Sequence, residues 1–179
     1  MQKILYILRH AKAEPGLAAQ DDHARALIGR GMEAAEAMGK YMAQRDIRPD
    51  KILCSTAVRA RETLKISLSL REPVDASRHR LPKGEEIIEY TSRLYLAPAS
   101  ETLSFIAQTP ESVHSLLIVG HNPGFHQLAL ALAKTGDAAL LDRLHLKFPT
   151  CALAAVTFDG AWHGIAKARG ELAAFITPD

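Results

Sequence analysis

The sequence predicts an α/β layered fold whose sheet is largely parallel and is closed by an antiparallel piece. Three short, continuously apolar runs are typical of buried strands, and stretches with the period of an amphipathic helix separate them. A turn signal between two apolar runs near the end indicates a final hairpin. The 179 residues, of which 47% are hydrophobic, suit a single domain spanning 1–179, because domains commonly contain about 100–200 residues.

The first strand and helix come directly one after the other. Residues 4–8 form a continuous apolar run, as expected of a central strand that is covered on both faces. Ala35, Met38 and Met42 then share one face of a helix that should begin near Gly31. This is the first of three strand–helix units.

The second and third units repeat this order. Strands are predicted at 51–54 and 115–119, and each is followed by a segment with helical periodicity. The residues on the apolar helix faces are Ala60, Leu64 and Leu68 in the second unit and Phe125, Leu128, Ala129 and Leu132 in the third. Alternation of strand and helix favours a parallel sheet with helices packed against it.

Two further segments complete the predicted elements. A helix is expected at 100–108 with Ser100 as its N-cap, because serine readily accepts a hydrogen bond from the first helical turn. The run 152–158, a turn at 159–160 and a second run at 162–168 predict the hairpin.

Composition excludes several classes of function. The formal net charge is only +2 and no basic run reaches five residues, so we expect no nucleic-acid partner. Cys54 and Cys151 are far apart and have no metal-ligand spacing, which favours a reducing compartment. No apolar run has the length of a signal-peptide core or a membrane span, so we expect a cytoplasmic protein without a membrane partner.

Basic and imidazole side chains follow the three apolar strands. Arg9 and His10 come after the first, Ser55 and Arg59 after the second, and His121 after the third. In open α/β sheets, ligands bind beyond the carboxyl ends of the strands. These residues, distant along the chain, are therefore expected to meet at one edge of the sheet.

Such a cluster favours the chemistry of phosphoryl transfer. Arginine matches phosphate oxygens with two parallel donors and stays charged. Nearby cations should lower the pKa of a histidine such as His10, leaving it neutral and able to attack phosphorus. Each feature alone also has a structural interpretation, and it is their joint placement after three strands that favours a site. His23 and Tyr95 are interpreted as structural residues.

Several segments resemble the motifs of the histidine phosphatase superfamily, also called the phosphoglycerate mutase-like superfamily. Residues 8–11, Leu-Arg-His-Ala, are similar to its opening Arg-His-Gly signature, with alanine as in many members of its short, SixA-type branch. Residues 22–31 resemble the branch pattern Asp-x-x-Arg-x-Leu-x-x-x-Gly, and 55–60 resemble Ser-x-x-x-Arg-Ala. Residues 119–123 resemble its second-histidine loop, and 149–152 the segment before its late strand pair.

The resemblance implies a three-layer α/β sandwich of the phosphoglycerate mutase type, with a mostly parallel sheet and an antiparallel edge. It implies that His10 accepts the phosphoryl group, without a metal or other cofactor. The residues that would hold that group are Arg9, Arg59 and His121. Further substrate contacts would come from Arg25, Ser55 and Asn122.

The resemblance leaves the general acid open. Many superfamily enzymes supply a glutamate between the second arginine and the second histidine, where this chain has Leu-Tyr-Leu-Ala at 94–97. Asp22 is the favoured proton donor, with Glu89 and Glu101 as alternatives. A phosphate ester needs a positioned acid to expel its alkoxide, whereas phosphohistidine can leave as neutral imidazole, whose conjugate acid has a pKa of about 6.5.

A weak acid therefore favours a phosphohistidine phosphatase acting on a signalling protein, such as a histidine-phosphotransfer domain. Three other hypotheses stay open. The enzyme could instead act on small phosphate esters, as a phosphatase or a mutase. The pocket could bind phosphate or phosphohistidine without catalysis. A metal site is poorly supported, because His121 and His126 do not have the spacing of helical ligands.

Overall fold

The computed structural model describes residues 2–16, 21–69 and 87–178. Within them lies one seven-stranded sheet. The strands are β1 (Gln2–Arg9), β2 (Lys51–Ser55), β3 (Ile88–Thr91), β4 (Ser115–Gly120), β5 (Ala133–Gly136), β6 (Leu153–Asp159) and β7 (Gly170–Ile176). The order across the sheet is β3-β2-β4-β1-β6-β7-β5. Neighbouring strands pair in parallel except for β6, which runs antiparallel to β1 and β7.

Helices cover both faces of this sheet. The helices are α1 (Gly29–Gln44), α2 (Val58–Leu68), α3 (Ala99–Ile106), α4 (Gly124–Leu132) and α5 (Ala138–Leu146), with short 3-10 turns at Asp22–Ala24, Ser92–Leu94 and Trp162–Lys167. On β1, Leu5 and Ile7 face a core shared with α3, α4 and α5, while Leu8 faces a second core shared with α1 and α2. The predicted three-layer α/β architecture is confirmed, because a sheet buried on both faces needs a helical layer on each.

The register of the parallel strands aligns their carboxyl ends. Leu8 of β1 lies opposite Val119 of β4, and Val119 lies opposite Cys54 of β2. The residues that directly follow these three strands therefore emerge side by side at one edge of the sheet. No helix in the described part of the chain is long and apolar enough to cross a membrane.

The predicted hairpin is correct in its first arm and wrong in its second. Residues 162–167 form a 3-10 turn, and the partner strand β7 begins only at Gly170. The indole of Trp162 is buried and donates from Nε1 to the carbonyl of Val113 at 2.7 Å, while its backbone N–H donates to Glu111 at 2.9 Å. These contacts anchor the run to the loop before β4 instead of to the sheet.

The start of α3 also differs from the prediction. The helix begins at Ala99, with Pro98 rather than Ser100 as its N-cap, and no side chain caps it. The carbonyl of Pro98 accepts the first helical hydrogen bond, from the N–H of Thr102. The φ of Pro98 is −66°, the value that its ring imposes, and the residue has an extended conformation that suits the cap.

Candidate active site

His10 lies immediately after β1, and hydrogen bonds of its backbone and ring fix its orientation. Its N–H donates to the carbonyl of Gly120 at 3.0 Å, and its own carbonyl accepts from the N–H of Cys151 at 3.1 Å. Its Nδ1 lies 2.7 Å from the carbonyl oxygen of Ala11. Since a carbonyl can only accept, Nδ1 carries the proton and the free electron pair is on Nε2.

Arg59 lies in the first turn of α2, with its side chain only 1% exposed. Its Nε donates toward Nε2 of His10 at 3.4 Å, and its Nη2 donates to a carboxylate oxygen of Asp22 at 2.9 Å. The hydroxyl of Thr63, one turn along, accepts from the N–H of Ala11 and donates to the carbonyl of Arg59. Helix α2 thus holds both the arginine and the loop behind the nucleophile.

His121 follows β4, and its ring lies 5.0 Å from that of His10, centroid to centroid. Its Nε2 is 2.8 Å from the hydroxyl oxygen of Ser55, which also accepts from the N–H of Ala57. The Ser55 hydroxyl still has its hydrogen to donate, and in the tautomer where it donates to Nε2 the proton of His121 is on Nδ1. That Nδ1 is buried without a partner among the described residues, so it is available to donate to an anion.

Arg9 and Asn122 depend on one main-chain oxygen. The carbonyl of Phe148 accepts from Nη1 of Arg9 at 2.8 Å and from Nδ2 of Asn122 at 2.9 Å. Nε of Arg9 is buried and has no partner among the described groups. Buried polar groups are nearly always paired, so Nε of Arg9 and Nδ1 of His121 are candidate donors to a bound anion.

Both imidazoles are neutral at physiological pH. Burial, together with Arg59, Arg9 and Arg25, lowers the pKa of His10 to about 4, although the Ala11 carbonyl opposes this. Burial, with further contributions from His10 and Arg59, lowers the pKa of His121 to about 3. A neutral ring keeps the electron pair that a nucleophile needs.

Asp22 is held as an anion, which argues against the proton-donor role predicted for it. One carboxylate oxygen accepts from Nε of Arg25 at 2.8 Å, and the other accepts from the hydroxyl of Tyr95 at 2.6 Å and from Arg59. The Tyr95 hydroxyl, followed by Arg25 and Arg59, holds the pKa of Asp22 far below its usual range. An ionised carboxylate with both oxygens engaged accepts hydrogen bonds and does not supply a proton.

The contacts of Arg25 are with the segment around Asp22 and not with the ring of His10. Its guanidinium donates to Asp22 and to the carbonyl of Glu14. Its positive charge still contributes to the lowered pKa of His10. The direct substrate contact predicted for Arg25 stays a prediction, while the contact shown is with Asp22.

Tyr95 is the contributor that the sequence interpretation missed. Its ring packs edge-on against His23 and His121, with centroid distances of 4.9 and 5.4 Å, and the Arg59 guanidinium lies 5.8 Å from its centroid. Tyr95 follows β3 and the short turn after it. Because β3 is parallel to β2, the rule that ligand-binding residues follow strands would have found Tyr95, had that short strand been predicted.

His23 packs against Tyr95 and also contacts the residue that follows Ser55. Its Nε2 lies 2.9 Å from the hydroxyl oxygen of Thr56, the residue after the Ser55 that contacts His121. Its interpretation as a structural residue agrees with these contacts, and they lie within the site.

The two alternative acids lie elsewhere. Glu89, on β3, pairs with Lys51 at 3.3 Å, and Glu101, in the first turn of α3, is exposed beside Arg93. Within the described residues, no carboxylate forms a hydrogen bond with the ring of His10, and no group of three or more His, Cys, Asp or Glu could hold a metal ion.

Comparison with known proteins identifies the family of this chain. The histidine phosphatase superfamily (branch 1) matches residues 5–79. An uncharacterized protein of Mycobacterium leprae is 35% identical over 177 residues, covering 96% of this chain and 99% of that protein.

Solved structures extend the likeness along the chain. SixA of Agrobacterium tumefaciens, assigned as a phosphohistidine phosphatase, is 32% identical with a TM-score of 0.77 and covers 99% of both chains. SixA of Nakamurella multipartitia is 26% identical with a TM-score of 0.78, and the match covers 99% of this chain and 97% of the Nakamurella chain. Sequence and structure agree over nearly the whole length, and the chain therefore belongs to the histidine phosphatase superfamily, with SixA proteins among its structural neighbours.

Proposed function

We propose that this protein is a metal-independent phosphatase that carries the phosphoryl group on His10 and acts on phosphohistidine in a signalling protein. The observation that carries the choice of substrate is the ionised state of Asp22. A phosphate ester leaves as an alkoxide and needs a proton donor in place. A phosphohistidine whose second ring nitrogen is protonated leaves as neutral imidazole and needs none.

The first chemical step would transfer the phosphoryl group to the protein. Nε2 of His10 uses its electron pair to form a bond to phosphorus while the bond from phosphorus to the leaving nitrogen breaks. Arg9, Arg59 and the Nδ1–H of His121 are the donors that would hold the phosphoryl oxygens. Fixed donors of this kind stabilise the charge of the transition state without reorganising, which is commonly the largest catalytic contribution.

The second step would return the enzyme to its starting state. Water attacks the phosphorus of phospho-His10, the bond to Nε2 breaks, and inorganic phosphate leaves. The hydrogen bond from Nδ1 to the Ala11 carbonyl at 2.7 Å keeps the ring in one orientation through both steps. SixA of Agrobacterium tumefaciens is 32% identical to this chain and is described as a phosphohistidine phosphatase. This likeness supports the choice of phosphohistidine as substrate.

The test compares two substrates on the same preparation. A phosphohistidine peptide should be hydrolysed with a much higher kcat/KM than an alkyl phosphate ester such as a phosphoserine peptide, and EDTA should leave both rates unchanged. Rapid quenching in alkaline denaturant, which spares the acid-labile P–N bond, should capture label on His10. Preferred turnover of alkyl phosphate esters would replace the proposal with an ester phosphatase, and absence of label despite tight phosphate binding would replace it with a binding module.

A further inference from the structure

A groove opens between the end of α5 and the carboxyl end of β7. Its volume is about 240 Å³, and its lining includes Arg143, Leu146, Lys147, Phe175 and Thr177. None of the described residues that line it is acidic. The groove is therefore cationic and partly apolar.

The guanidinium of Arg143 is held in place by neighbouring groups, but no carboxylate among the described residues neutralises its charge. Nη2 of Arg143 donates to the hydroxyl of Thr177 at 3.1 Å, and the guanidinium lies 5.7 Å from the centroid of the Phe175 ring. Within the described residues, neither Arg143 nor Lys147 forms an ion pair. Leu146, with 78% of its surface exposed, adds an apolar contact beside two unpaired positive charges.

The sheet fixes the distance between the strand end beside this groove and the strand end that precedes the nucleophile. Leu8 of β1 lies opposite Leu153 of β6, and Leu153 lies opposite Ile176 of β7. Strands β1 and β7 therefore run in the same direction, and their carboxyl ends reach the same edge of the sheet. Since neighbouring strands are about 4.8 Å apart, the end of β7 lies about 10 Å from the end of β1.

The main chain also connects the groove to the candidate active site. Lys147 and Pro149 line the groove, and between them Phe148 offers its carbonyl to Arg9 at 2.8 Å. A substrate whose phosphoryl group contacts Arg9 would extend its neighbouring residues over this segment.

We propose that the groove is a substrate subsite that binds an acidic side chain about three residues from the phosphorylated residue of a protein. This inference rests on the proposed function and names a feature of its substrate. An extended chain advances about 3.3 Å per residue, so three residues span about 10 Å, the separation of the two strand ends. A carboxylate there meets a guanidinium that can bind it through two donors. Small phosphate esters do not reach the groove.

The test measures binding, so that it does not depend on turnover. The probes are heptapeptides with a non-hydrolysable phosphonate at the centre and either aspartate or lysine three residues away on both sides. The wild-type protein should bind the aspartate peptide about tenfold more tightly, and added salt should reduce this preference, because partly exposed charges are screened. Equal affinity for both peptides would overturn the inference.

Variants locate the effect. Arg143→Met with Lys147→Met should remove the preference for aspartate and leave the affinity for inorganic phosphate unchanged. Lys40→Met, on exposed α1 surface, is the matched control and should retain the preference. A preference that survives the double variant would place the acidic contact elsewhere.

The two proposals fail in distinguishable ways. Phosphohistidine turnover without any aspartate preference would leave the proposed function standing and remove the subsite. An aspartate preference in the phosphonate peptides, together with no turnover of phosphohistidine, would retain the subsite and remove the proposed function.

Discussion

The nucleophile side and the acidic side of the site are built in different ways. Arg9 ends β1, and His10 and His121 directly follow β1 and β4, so the topology of the sheet alone brings them together. Asp22 and Tyr95 come from connecting segments and meet through a hydrogen bond of 2.6 Å between their side chains. The first group is positioned by backbone and the second by a network of side chains, so substitutions should affect the two groups differently.

The largest effect is expected on the nucleophile side, at His10. We expect His10→Ala to lower kcat by more than about a thousandfold, because no other described side chain replaces the lost electron pair. Turnover of a phosphohistidine peptide is the measurement, and His163→Ala, at a ring that is 81% exposed, is the control. Activity of more than a few per cent in His10→Ala would remove the nucleophile assignment.

Arg59 joins the two sides, and its loss should come next in size. We expect Arg59→Ala to lower kcat/KM about a hundredfold, by analogy with the loss of a donor that stabilises transition-state charge. Inhibition by vanadate should weaken in the same variant. Arg61→Ala, two residues further along α2 and exposed, should leave both quantities unchanged, and equal effects of the two substitutions would indicate a general effect of charge.

The lowered pKa values of the nucleophile side predict an unusual acid limit for activity. Because the pKa of His10 is about 4, the first step should keep most of its rate at pH 5, where an ordinary histidine with a pKa of about 6.5 would be about 97% protonated. The pH profile of single-turnover kcat/KM is the measurement. A fall in kcat/KM centred near pH 6.5 would show that burial does not lower the pKa of His10.

The same shift has a consequence for stability. Between pH 6.5 and 4, His10 and His121 are protonated in the unfolded chain but stay largely neutral in the folded protein. The free energy of unfolding should therefore fall as the pH is lowered through this window. Urea unfolding at pH 7.5 and 4.5 measures the loss, which should be smaller in His10→Asn.

The smallest effect is expected on the acidic side, from removal of one hydroxyl. We expect Tyr95→Phe to lower kcat/KM about fivefold, because Asp22 loses one donor while Arg59 and Arg25 still hold it. Tyr90→Phe, on β3 and half exposed, is the matched control. In an Asp22→Asn background, Tyr95→Phe should change kcat/KM by less than about twofold, since the hydroxyl acts through the carboxylate.

Asp22→Asn by itself separates the two roles considered for this residue. A positioning role predicts similar losses for phosphohistidine and an alkyl phosphate ester. A much larger loss for esters would restore Asp22 as a proton donor, because only the ester requires one.

The contrast between the two sides also explains what the sequence could predict. Continuous apolar runs such as residues 4–8 mark buried strands, and the residues after them can be placed from topology alone. Strand β3 has four residues, one of them exposed Tyr90, and therefore gives no comparable pattern. Tyr95 directly follows the short turn after β3, so without this strand the sequence could not place Tyr95 at the site.

The state of Asp22 is a second limit of the sequence. Whether a carboxylate donates or accepts a proton depends on its neighbours in space, and here those include Tyr95 and Arg59, which are distant along the chain. Trp162 shows the same limit in the fold, since its apolar surroundings predict a strand while its buried indole is anchored outside the sheet.

One acceptor in this protein cannot be altered by exchanging a side chain. The oxygen that holds both Arg9 and Asn122 belongs to the peptide unit of Phe148, so every amino acid at position 148 supplies it. Alanine scanning would pass over this contact, and comparison of related sequences would show no constraint from it. Replacing the following amide by an ester, which weakens that carbonyl as an acceptor, would reveal its contribution.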